Sequence, residues 1–110
     1  MKVANAFSIS MLPVGAVTTV SFAGPRSATQ VQEYLRNQSL ESVIGHADTA
    51  RLVGGQLGQE LPVNRATVKL EVGEHLLVAQ YVGPRLPEGA TTLPEGARID
   101  YFIVVPIAVE

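Results

Sequence analysis

The side chains able to do acid–base or anion-binding chemistry fall in four short polar stretches. His46 stands in "IGHADT", after Gly45 and ahead of a run with helical spacing. A helix start offers free backbone N–H groups that favour an anion, and glycine lets ligand and backbone approach closely. The position therefore suits a histidine that moves a proton at a phosphoryl group, while a cap or a partly buried packing residue is the plainer reading. "GPRLPEG" puts Arg85 and Glu88 on one turn, where a guanidinium can fork onto phosphate oxygens and a carboxylate can orient a hydroxyl. Its alternative is a surface ion pair. "VNRATV" offers Asn64 and Arg65 as loop anchors or phosphate contacts, and "ANAFS" offers Asn5 and Ser8, for which capping is the alternative. His75, beside a turn, reads as merely exposed.

Other chemistries are excluded by what the chain lacks. It has no cysteine, which removes disulfides, a thiolate nucleophile and thiolate metal sites. Walker A, dinucleotide and His-Glu-x-x-His patterns are absent, and "GGQLG" at Gly54–Gly58 closes a helix rather than opening one. Two histidines far apart without clustered carboxylates give no metal site, so the expectation is catalysis without metal or cofactor. A net charge of −2 argues against the broad basic field of a DNA-binding protein, yet a small anion needs only a few arginines. All apolar runs are shorter than a membrane span and "MKVANAF" does not read as a secretory signal, so a cytoplasmic protein without a membrane partner is expected.

The elements that must position these residues follow from periodicity. The 110 residues suit one domain, 1–110. Val3–Phe7 reads as a strand, followed by a turn that Ser8 caps and Pro13 ends. Ala16–Phe22, rich in β-branched residues, reads as a second strand bounded by Gly15 and by Gly24-Pro25. Ser27 and Gln30 have capping-box spacing, and Val31, Tyr34 and Leu35 then share a helical face. A second helix over Ala47–Leu57 buries Leu52, Val53 and Leu57, with Gly54 and Gly55 weakening its end. "TVKLEVGEHLLVAQYV" reads as a hairpin turning at Gly73-Glu74, its second arm, Leu76–Val82, central and covered on both faces. A last strand covers Asp100–Val105 and extends toward Val109, with Pro106 at an edge or bend. "LPEGA", at Leu86–Ala90 and again at Leu93–Ala97, marks two successive turns. The sum is an α/β or α+β domain, a mixed sheet of about five strands with two or three helices.

Taken together, "ANAFSISML", "IGHADTARLV", "LPVNRATVKL" and "QYVGPRLPEGA" resemble, in order and spacing, the viral and prokaryotic ring nuclease family. Its members act as type III anti-CRISPR proteins or as CRISPR-associated ring nucleases. The resemblance spans nearly the whole chain and implies an α/β homodimer that cuts cyclic tetra-adenylate, without metal, into linear di-adenylates, switching off type III CRISPR signalling. It implies that His46 is the general acid, that Arg85 and Glu88 complete the catalytic set, and that Asn5, Ser8, Arg65 and Arg85 hold substrate. Ser10 stands where viral relatives carry an asparagine. Two rivals are a module that sequesters the cyclic nucleotide uncut, and an interaction domain on the same fold.

Overall fold

A computed structural model describes residues 1–110. Its elements are β1 (Lys2–Ala4), a 3-10 turn (Ile9–Met11), β2 (Thr18–Arg26), α1 (Ala28–Leu35), β3 (Glu41–Ser42), α2 (Ala47–Leu57), β4 (Leu76–Val82) and β5 (Arg98–Val109). They form one mixed sheet of order β2-β5-β4-β1-β3, in which β1 runs parallel to β3 and β4 while β5 is antiparallel to β4 and β2. This is the expected single-domain α/β architecture of five strands and two helices. No helix is long and apolar enough to cross a membrane.

Alternation along the central strands builds a core on each face. Leu77, Ala79, Tyr101 and Ile103 pack with Val31, Leu35, Leu52, Val53 and Leu57, so both helices cover one side. Leu76, Val78 and Val104 turn to the other side, where Val68, Leu70, Phe7 and Met11 cover them. β4 is thus central, and its Leu76–Ala79 half is buried on both faces as the apolar run predicts, whereas Gln80 is exposed and Tyr81 and Val82 are half-buried.

α1 begins with the full capping box: Ser27 accepts from Gln30 N–H and Gln30 accepts from Ser27 N–H. Val31 and Leu35 face the core, while Tyr34 is more than one-third exposed and bonds His75 Nδ1 through its hydroxyl at 2.8 Å. His75 is therefore exposed but not free. α2 has the expected bounds, ending at Gly58 in a left-handed conformation.

Several strand expectations are corrected. β1 stops at Ala4 because the chain turns after it, carrying Phe7 to an edge-on contact with Phe22 at 5.4 Å. β2 does not end at Gly24-Pro25 but runs to Arg26 through a register shift; as an edge strand it accommodates a proline, which needs no ladder donor on its open side. The first arm of the expected hairpin, residues 67–72, is not a strand. Its alternation buries Val68 and Leu70, but Leu70 N–H bonds Met11 O, in the 3-10 turn. The fifth strand is instead the two-residue β3 beside β1. Pro106 lies beyond the last β4–β5 pair, Leu76 with Val104, where no partner on that side needs its missing N–H.

Tyr101 ties the helices to the sheet. Its side chain is fully buried and its hydroxyl donates to Gln56 Oε1 on α2 at 2.6 Å, while Gln32 of α1 donates to Gln56 O. Burial pushes the phenol well above its ordinary range. Because the folded-state value is raised, this contribution is fully present below the free phenol's pKa of about 10 and declines as pH rises past it, by about 1.4 kcal/mol per unit. Tyr101→Phe is expected to cost about 1–2 kcal/mol at neutral pH, because Gln56 Oε1 loses its partner. Denaturant unfolding of both proteins should also show that the variant loses less stability above about pH 10.

Candidate functional site

The parallel strands β3, β1 and β4 point their carboxyl ends to one side of the sheet, the edge at which α/β folds hold ligands. His46 follows β3, Asn5 and Ser8 follow β1, and Arg85 and Glu88 follow β4. Since α2 is the crossover from β3 to β4, its N-terminus must emerge at that edge.

His46 is the N-cap of α2. Its Nδ1 accepts from Thr49 N–H at 3.2 Å and lies 3.1 Å from Thr49 Oγ1. A backbone N–H can only donate, so Nδ1 carries no proton in this arrangement and the neutral ring holds its hydrogen on Nε2. Thr49 is buried, whereas His46 is exposed, so the ring is oriented from behind and open in front. Capping and availability for proton transfer coexist in one residue, and packing does not describe it.

An open cleft of about 620 Å³, within the range of small-molecule sites, brings His46 and Asp48 together with Arg85, Leu86, Pro87 and Glu88. The turn is fixed by its own sequence. Ala90 N–H bonds Pro87 O at 3.1 Å with Gly89 at φ 75°, and Leu86 packs against the helix-side core. The second "LPEGA" repeats both devices, with Ala97 N–H on Pro94 O and Leu93 against the same core. The echo is thus a pair of anchored turns. Arg85 and Glu88 do not form the surface ion pair that sequence allowed; the chain's ion pairs are Arg51–Asp48 and Arg98–Asp100.

Arg65, in the loop before β4, does not line the cleft but holds the residue ahead of His46. Its Nε donates to Gly45 O at 2.9 Å, and its side chain lies so close over Gly45 that a Cβ there would sit 3.1 Å from Arg65 Cγ. Asn64 is the anchor of the pair: its side chain donates to Ser42 O and its N–H to Ile44 O. Together they strap the residues leading into His46.

Asn5 and Ser8 lie at the same sheet edge but do not line the cleft. Ser8 caps the 3-10 turn, accepting from Ser10 N–H and pairing with Ser10 Oγ at 2.9 Å. Lys69 Nζ, on Ser10 O, holds that turn toward the sheet's second face. Three residues of α2 not singled out from the sequence act around the cleft: Thr49, bonded to the His46 ring; Asp48, in the lining and bonded to Gly89 N–H; and Arg51, which joins Asp48 to Ala90 O. Their available signal was position, since an acid at the second helical residue and a base three later are neighbours on a helix start.

A mixed α/β sheet with a histidine-capped crossover helix facing an arginine-bearing turn defines a small single-domain protein with a polar cleft at its carboxyl edge. The STIV B116-like family profile matches residues 1–103, and the chain belongs to that family. Among solved structures it is similar to B116 of Sulfolobus turreted icosahedral virus (STIV), with a TM-score of 0.67 and 28% identity over 94% of this chain and 97% of that one. No curated protein matches the sequence.

Proposed function

We propose that this protein is a ring nuclease that cuts cyclic tetra-adenylate into linear di-adenylates without metal, and so silences type III CRISPR signalling. The observation that carries the reading is the cleft in which His46, its ring held through Nδ1, faces the turn of Arg85 and Glu88. The four-part resemblance supplies the substrate.

In this reading the ribose 2′ oxygen attacks the adjacent phosphorus and the P–O5′ bond breaks. The departing O5′ takes a proton from Nε2 of the protonated His46 ring, and the Glu88 carboxylate takes the proton of the attacking hydroxyl. The new end is a 2′,3′-cyclic phosphate. A protonated ring must donate from Nδ1, and Thr49 Oγ1, 3.1 Å away, can turn its lone pair to accept. Protonation therefore exchanges the bond from Thr49 N–H for one to Thr49 Oγ1, and the cap is given up while the ring is charged. Arg85 and Arg65 stabilise the charge gathered on the non-bridging oxygens. Asn5 and Ser8 hold the ring where a second copy closes over it. A twofold homodimer presents two His46 side chains to opposite phosphates, which makes two cuts and two di-adenylates.

Incubating purified protein with a large excess of cyclic tetra-adenylate in EDTA tests this. Many rings should be linearised per protomer. Capture of one ring per dimer with no linear product would mark a sequestering module instead.

A further inference from the structure

A carboxylate in the first turn of a helix opposes the very anion that the helix start attracts, and Asp48 stands there beside the cleft. Its two oxygens explain why it is tolerated. Oδ1 receives Arg51 Nη1 at 3.0 Å and Oδ2 accepts Gly89 N–H at 3.0 Å, leaving the side chain 13% exposed. The same Arg51 Nη1 donates to Ala90 O at 3.0 Å. The carboxylate's charge is spent on a cation and a backbone N–H: Oδ2 reaches the turn that carries Arg85 and Glu88 directly at Gly89, and Oδ1 reaches it through Arg51, which bonds Ala90 O. An ion pair with a half-exposed arginine contributes little to stability, so its consequence lies in where it puts the turn.

We infer that Asp48, with Arg51, is a positioning pair that locks the Arg85–Glu88 turn against His46. One helix terminus thereby sets both halves of the site: residue 46 presents the ring, and residue 48 ties down the turn opposite. This inference rests on the ring nuclease reading for its catalytic consequence, but the tie itself can be read without substrate.

The test uses the full chain and the variants Asp48→Ala, Asp48→Asn and Arg51→Met. Hydrogen exchange of the Gly89 amide is followed in free protein, and kcat and KM with cyclic tetra-adenylate in EDTA. Asp48→Ala should speed Gly89 exchange and lower kcat roughly ten- to a hundred-fold, the scale of a misplacement near 1 Å. Asp48→Asn keeps an acceptor for Gly89 and should recover part of both; Arg51→Met should fall between it and wild type. If Asp48→Ala does not fold, the other two variants carry the comparison. Wild-type kcat in the variants despite faster Gly89 exchange would overturn the positioning role, as would a lowered KM at unchanged kcat, which would make Asp48 only a repeller of substrate. Unchanged Gly89 exchange would overturn the tie. Should wild type leave the ring intact, the ring nuclease reading falls, and the exchange data alone then decide the tie.

Discussion

Replacing His46 with alanine is expected to leave cyclic tetra-adenylate bound while slowing its cleavage by about 10²–10⁴-fold, the range lost with a positioned general acid. The phosphate contacts assigned to Arg65 and Arg85 survive, so affinity should change little. The substitution also removes the cap that Thr49 N–H uses, which costs helix α2 about 1 kcal/mol. His46→Asn separates the two roles. Asparagine is among the best N-caps yet cannot deliver the proton. It should match wild type in thermal midpoint and alanine in cleavage rate, measured at saturating substrate so that binding does not enter. A His46→Asn protein that cleaved at the wild-type rate would leave the histidine as a cap only.

The largest stability effect is expected at Gly54, and its neighbour supplies the contrast. Gly58 N–H and Gln59 N–H both bond Gly54 O as α2 ends, and this wrap brings Gln59 O back over the helix. A Cβ on Gly54 would lie 2.5 Å from that oxygen, a backbone atom that cannot swing aside. Gly54→Ala should therefore destabilise by about 2–3 kcal/mol, as overpacking does. Gly55 has nothing within 4 Å of its would-be Cβ, so Gly55→Ala should gain about 0.5–1 kcal/mol from helix propensity. Denaturant titration of both variants reads the difference and its sign.

Those two glycines also mark where local pattern ends. From sequence they only weakened a helix; in the fold one is a contact surface and the other is dispensable. Elements written in local chemistry were legible: the Ser27–Gln30 box, the span of α2, the apolar run of β4 and the paired "LPEGA" turns. Residues 67–72 have the alternation of a strand, but pattern reports burial and not the hydrogen-bond partner, and here the partner is a 3-10 turn. β3 is legible in no window, because two residues become a strand only by lying beside β1. The site follows the same division. His46, Arg85, Glu88 and Arg65 could be singled out by residue type and setting, whereas Asp48 and Gly89 are separated by 41 residues and meet only in the fold.

In the proposed mechanism the ring opens by attack of its own 2′ hydroxyl at the His46 cleft. Mass analysis of the first products formed from cyclic tetra-adenylate in EDTA tests it most directly. Linear di-adenylates ending in a 2′,3′-cyclic phosphate are expected, formed by wild type and not by His46→Asn. An intact ring after many equivalents of protein, or linear products whose ends carry a water-derived oxygen from the outset, would contradict it.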